Sequence, residues 1–170
     1  MNVSEAIRTK RAIRKFQDKP LPDDVIHAIL NAGRRSQSSK NEQAWQFIAI
    51  RDQSILKALS KCGTYAGHLA GAALGVAILT PDPTDKFQTM FDAGQAAAFM
   101  QLAAWELGVG SVPASIYEGE KAREILGFPP AWHLRIALSF GYPLDEEKLS
   151  AAPKKGGRRL LEEIVHWDKW

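Results

Sequence analysis

The sequence predicts an α+β fold in a single domain spanning 1–170, and three observations predict it. Segments of helical spacing and segments rich in β-branched and aromatic residues intermix without regular βαβ spacing. No internal repeat and no linker divides the chain. Its 170 residues suit one compact domain, or one subunit of a small dimer.

Each element has a local reason. Ser4 to Arg11 has helical spacing, with Val3, Ala6 and Ile7 on one face. Asp18, Pro20 and Pro22 then break the chain. LPDDVIHAILNAGRR reads as a second helix: Pro22, Asp23 and Asp24 suit its first turn, and Val25, Ile26, Ile29 and Leu30 form its buried stripe. The polar loop SQSSKNEQ leads into WQFIAI, an aromatic and β-branched strand. Asp52 to Lys61 is a short amphipathic helix, and Ala72 to Leu79 a buried strand of small apolar residues. The longest helix runs from Asp85 to Leu107, with Gly108 as its stop. Apolar side chains lie nearly all round it, so it belongs in a core or a subunit interface. VGSVPAS is a strand or a loop, Glu120 to Leu126 a helix stopped by Gly127, and Leu134 to Tyr142 a strand. The tail ends in LLEEIVHWDKW.

Composition narrows the function. The chain is 45% hydrophobic and 24% charged, which argues against intrinsic disorder. A net charge of +3 argues against a general polyanion binder. The positive charge is nevertheless clustered, at Arg8, Lys10, Arg11, Arg14 and Lys15 and again at Lys154, Lys155, Arg158 and Arg159. Two such clusters point to a local anionic ligand. The single cysteine, Cys62, rules out an intrachain disulfide and a thiolate metal cluster, and fits a reducing, cytoplasmic setting. Cys62 has no activating partner in sequence and is read as inert. The opening MNVSEAIRTKRAIRKF lacks the apolar core of a secretory signal, and the run Leu69 to Leu79 is too short to span a bilayer. His27, His68, His133 and His166 match no metal-ligand spacing and are read as structural, with His68 the one to watch. The five tryptophans are read as core or interface anchors.

Three segments carry candidate chemistry. KRAIRKF can hold a phosphate by charge-assisted hydrogen bonds, although charge taken alone favours a solvated basic face. SQSSKNEQAW offers hydroxyls, amides and open backbone to the rim of a planar heterocycle, although it also reads as a connecting loop. ELGVGSVPAS lets the backbone approach a ligand, or simply ends a helix. It lacks the G-x-G-x-x-G fingerprint, which counts against a Rossmann site.

Taken in order, KRAIRKF, QSSKNEQAW, ELGVGSVPAS, ALSFGYP and RRLLEEIVHW resemble the FMN-dependent nitroreductase family over nearly the whole chain. The resemblance implies a central, mostly antiparallel sheet flanked by helices, in a homodimer whose C-terminal segment is domain-swapped. It implies bound FMN, with NAD(P)H as electron donor. Lys10, Arg11 and Arg14 match positions that hold the phosphate and ribityl chain, with Arg14 near the pyrimidine edge. Ala12 stands where a serine is usual and removes one hydroxyl contact. Ser38, Ser39 and Asn41 match loop residues that reach the flavin across the dimer interface, while Gln37 and Ala44 replace prolines there. Pro113, Ala114, Ser115 and Ile116 match the segment whose backbone passes the isoalloxazine, with Ile116 where a glycine is frequent. Thr64 and His68 are the side chains available for a further polar flavin contact. Lys155, Arg158 and Arg159 match C-terminal residues that close on the phosphate.

The implied chemistry is flavin-centred and needs no side-chain nucleophile and no metal. NAD(P)H reduces the flavin and leaves; a nitroaromatic, quinone or similar small acceptor then takes two electrons. An enone, halogenated or pterin-like substrate is the alternative within the same fold, and the short segment from Pro81 to Phe91 implies an open pocket. A small nucleic-acid-binding module is the alternative of a different class. It is disfavoured because KRAIRKF has one aromatic residue and one phosphate explains both basic clusters.

Overall fold

The computed structural model describes residues 1–149 and 157–170. Its centre is a four-stranded sheet in the order β1-β2-β4-β3, with β1 Gln46–Ile50, β2 Leu74–Thr80, β3 Gly110–Ser115 and β4 His133–Gly141. All three strand pairings are antiparallel. The fold is α+β, as the interleaved pattern predicts.

Strand β2 is buried at every residue because both its faces are covered. Leu74, Val76 and Ile78 pack with Ile26 and Ile29 of helix α2 (Asp23–Arg34) and with Ala97 and Met100 of α4 (Gln88–Glu106). Ala77 and Leu79 point the other way, to Leu56 and Leu59 of α3 (Gln53–Leu59) and Ala122 of α5 (Gly119–Leu126). This is why the strand reads as a continuous apolar run rather than an alternating one. On α2, Ile26 and Ile29 are buried and Val25 and Leu30 half-buried, while His27 faces solvent.

Two elements differ from the sequence reading, and a third settles an alternative it left open. Helix α1 is Val3–Thr9 and stops short of Arg11. Beyond it the chain is drawn to the open edge of β3, where Ala12 forms a parallel bridge with Ser111 and Ile13 N–H donates to the Ser111 carbonyl at 3.1 Å. Only Ala6 of the predicted apolar face is buried; Val3 and Ile7 are 73% and 63% exposed. The long helix begins later than Asp85, because the Asp82 carboxylate accepts from Thr84 N–H and Oγ and holds a turn there. VGSVPAS resolves as a strand, paired with β4 from Gly110–Gly141 to Ser115–Ile136. Both expected glycine stops are present, Gly108 at φ +73° and Gly127 at +69°.

Helix α4 divides its apolar surface. Ala93, Ala96, Ala97, Met100, Ala104 and Trp105 are buried in the chain's own core, whereas Phe87, Phe91 and Phe99 are 75%, 70% and 45% exposed. The tail from Gly157 onward carries one short turn, Leu161–Glu163, and its Trp167 and Trp170 are exposed. Among the described residues, no helix is long and apolar enough to cross a membrane.

Candidate functional site

The candidate site is built where the N-terminal basic stretch lies along β3. The Ala12–Ser111 bridge and a second bridge, Phe16–Pro143, hold KRAIRKF against the ends of β3 and β4. Gln17 N–H donates to the Tyr142 carbonyl at 2.8 Å, and Leu144 N–H to that of Lys15 at 3.0 Å. The basic segment is therefore tied to the sheet edge by isolated bridges rather than ending a helix. That placement brings Lys10, Arg11 and Arg14 beside the strand that carries Pro113, Ala114 and Ser115.

Along β3 the side chains alternate. Ala114 is buried against Ala137, while Pro113 and Ser115 are exposed on the opposite face. Ile116 follows the strand, is buried, and donates its N–H to the Arg135 carbonyl at 2.9 Å. The loop after α3 packs onto the end of this strand: the Cys62 carbonyl accepts from Tyr117 N–H at 2.8 Å and Glu118 N–H at 3.1 Å. Gly63 makes the approach possible, since a Cβ there would lie 2.0 Å from the Ser115 carbonyl oxygen. Cys62 itself is fully buried, and burial pushes its thiol up, which agrees with an inert role.

The charges at the site are not balanced in the usual way. Lys10 is half-buried and its ammonium donates to Gln101 Oε1 on α4, a neutral acceptor. Burial holds Lys10 below the usual lysine range. Arg11 Nε donates to the Thr9 carbonyl at 3.3 Å. Arg14 is exposed, and its field reaches the half-buried ring of His68. His68 Nδ1 lies 2.7 Å from Ser139 Oγ, a hydroxyl fully buried on β4. Burial foremost, then Arg14, hold His68 below the ordinary imidazole range, and the Pro113 backbone carbonyl opposes them. A half-buried ammonium with a neutral partner, an arginine whose field reaches a histidine, and the exposed Ser115 hydroxyl supply donors, and the exposed Pro113 an apolar face, suited to an anionic, planar ligand such as FMN.

The second predicted loop sits elsewhere in the same chain. Ser39 N–H donates to Asp92 Oδ2 at 2.9 Å, which ties the loop to the start of α4. Asp92 is buried, and Gln43 N–H closes the loop on Ser38 Oγ at 2.9 Å. Lys40, Asn41 and Gln43 have φ of 51°, 57° and 50°, a left-handed run of non-glycine residues costing roughly 1 kcal/mol or more each. Asp92 and Gln101 are about 13 Å apart along α4 and half a turn round it. One chain therefore does not bring Ser38, Ser39 and Asn41 to Lys10. The loop instead lines a 390 Å³ groove with Phe87 and Phe91 on the outer face of α4.

Arg158 and Arg159 are exposed in the tail, and Lys155 lies outside the described residues. Among the described residues no cluster of side chains could hold a metal ion. His27 is exposed, His133 Nε2 is 3.9 Å from Asp82, and His166 lies against Trp170. Sequence reasoning missed Gln101, Asp92 and Ser139. Their signal was weak: Asp92 and Gln101 share α4 with other polar residues such as Thr89 and Gln95, and Ser139 follows the apolar run Ile136, Ala137 and Leu138 of β4.

Comparison with known proteins bears on this arrangement. The sequence profile of the nitroreductase family matches residues 7–63 and 60–142. A candidate NADH dehydrogenase/NAD(P)H nitroreductase of Archaeoglobus fulgidus is 32% identical, over 96% of each chain. An NADH dehydrogenase of Thermus thermophilus is 26% identical, over 98% of this chain and 96% of its own. The solved structure of an FMN-dependent nitroreductase from Clostridium difficile superposes with a TM-score of 0.85 at 28% identity, covering 99% of this chain and 100% of the other.

Proposed function

This chain belongs to the nitroreductase family, and from that membership we propose that it is an NAD(P)H-dependent FMN oxidoreductase. The observation that carries the reading is the Ala12–Ser111 bridge, which sets the basic segment with Lys10, Arg11 and Arg14 at the start of the strand that continues to Pro113, Ala114 and Ser115. Bound FMN would accept two electrons from NAD(P)H and deliver them, in a ping-pong cycle, to a nitroaromatic, quinone or similar acceptor.

The chain's own groups divide the work of holding that cofactor. Lys10 and Arg11, with Lys155, Arg158 and Arg159 from the tail, bind the phosphate. Arg14 faces the pyrimidine edge and stabilises the negative charge of the reduced ring, which makes the flavin a stronger acceptor. The backbone from Pro113 to Ile116 lies along the isoalloxazine. Ser38, Ser39 and Asn41 reach the flavin of a second copy, because within one chain they lie across α4 from Lys10. The exposed Phe87, Phe91 and Phe99 supply the apolar face of that homodimer, and the exposed aromatic tail suits a swapped arm over the partner. The whole of 1–170 works as one domain, in the cytoplasm, and neither nucleic acid nor membrane is needed to explain its charge.

The test is spectroscopic. The purified protein should be yellow, release FMN on acid precipitation, and bleach when NAD(P)H is added without an acceptor. A colourless protein that neither takes up added FMN nor bleaches overturns the proposal.

A further inference from the structure

His68 sits in the turn Gly67–Gly71, with its ring against Ser139 of β4 and the Pro113 carbonyl of β3, and it feels the positive field of Arg14. We propose that His68 takes up one solvent proton when negative charge arrives on the flavin beside Arg14, so that reduction of the cofactor is coupled to protonation of this side chain. The inference rests on the FMN reading above and adds to it a proton site that the chemistry at the ring does not require.

The geometry favours a group that changes state without losing its place. The Nδ1 partner is the Ser139 hydroxyl at 2.7 Å, which donates to a bare ring nitrogen and accepts from a protonated one. A carboxylate there would hold the ring charged, and a backbone N–H would hold it neutral. Ser139 is fully buried on β4 and has no access to bulk water, so the contact persists in both states. The surroundings set the direction. The elements against the ring contribute Ser139 from β4, the Pro113 carbonyl from β3 and Arg14 from the N-terminal segment. Burial and Arg14 disfavour the cation, and the Pro113 carbonyl favours it. The ring is thus poised as a neutral base beside a fixed positive charge. An anion that neutralises the field of Arg14 removes one of the two effects against protonation and adds an attraction of its own.

The balance is simple. Hydride transfer from NAD(P)H would bring a bound flavin two electrons and one proton and leave it one negative charge. The compensating proton comes from solvent and settles on the bare nitrogen of His68. It returns to solvent, or to the acceptor, when the flavin is reoxidised.

The test follows His68 itself by NMR in isotopically labelled protein, without FMN, with oxidised FMN, and with FMN reduced by dithionite. The titration midpoint of His68 should rise by at least one pH unit between the FMN-free and reduced states. Across that window the reduction potential should fall more steeply with pH in the wild type than in His68→Asn. The difference is one proton per two electrons, a tenfold change per pH unit or about 30 mV. A midpoint that stays put in all three states, or equal slopes in the two proteins, overturns the inference. The wild-type NMR titration decides alone if the variant does not fold. A protein that binds FMN with an unmoved His68 defeats only this inference; one that binds no FMN defeats the functional reading as well.

Discussion

At the scale of one residue, Lys10 is where the proposed function would cost stability. Its half-buried ammonium has a neutral amide for a partner, and burial lowers its pKa. Such a charge disfavours the folded apoprotein and becomes favourable when an anion arrives. The sign follows from linkage. A base held below its usual value binds fewer protons folded than unfolded, so apoprotein stability rises with pH through the window between the lowered value and 10.5. Lys10→Met keeps the stem and removes the charge. In the FMN-free protein it should raise Tm by ~2 °C. It should weaken FMN binding at least tenfold, since a hydrogen bond to a charged group is worth about 1.5–3 kcal/mol. Calorimetry and a flavin fluorescence titration read the two effects. A fall in Tm, or an unchanged affinity, would show that Lys10 serves packing rather than the phosphate.

At the scale of elements, the site depends on two segments that are neither helix nor strand of the main sheet. The N-terminal segment reaches β3 through backbone bonds, and the loop after α3 reaches it through Gly63. In Gly63→Ala the new methyl group meets the Ser115 carbonyl, a backbone atom that cannot rotate away. The loop has to lift from the end of β3 and carry the following turn, Gly67–Gly71, and its His68 with it. We expect a loss of about 1–3 kcal/mol in urea unfolding. The FMN dissociation constant should rise by more than that of a surface substitution such as Lys57→Ala. Unchanged stability would mean that the close approach of Gly63 to Ser115 is not a constraint.

At the scale of the whole molecule, α4 joins the core to a surface that the described residues leave uncovered. Its inner face closes the core through Met100, Ala104 and Trp105; its outer face presents Phe87, Phe91 and Phe99. Met1, Val3 and Ile7 extend that apolar surface, and an apolar groove of 330 Å³ runs between Val3, Ala6, Phe99 and Leu102. A second copy would cover this surface and bring the Ser38–Asn41 loop to a site it cannot reach at home. Phe91→Glu should therefore elute as the 18.8 kDa monomer, against a wild-type dimer, and should lose its FMN at the same time. Gel filtration with light scattering, read at the flavin absorbance, measures both. A wild-type monomer with flavin bound would contradict the shared site.

Much of this molecule was legible in the chain itself. The stripe of α2, the small-residue run of β2, the stops at Gly108 and Gly127, and the α+β class follow from local spacing, because side-chain period and backbone freedom are properties of the residues. The basic stretch and the polar loop could be named as candidate sites for the same reason. Tertiary structure decided what those segments lie against. Arg11 leaves its expected helix because the edge of β3 offers the backbone partners. Val3 and Ile7 stay exposed because none of the described residues covers them. The pairing of His68 with Ser139 and Arg14 joins residues 71 and 54 positions apart, so no local pattern could reveal it. The sequence by itself determined the periodicities and the family. Only the tertiary structure decided which polar groups meet, because such contacts depend on how the elements pack and not on the order in which they are written.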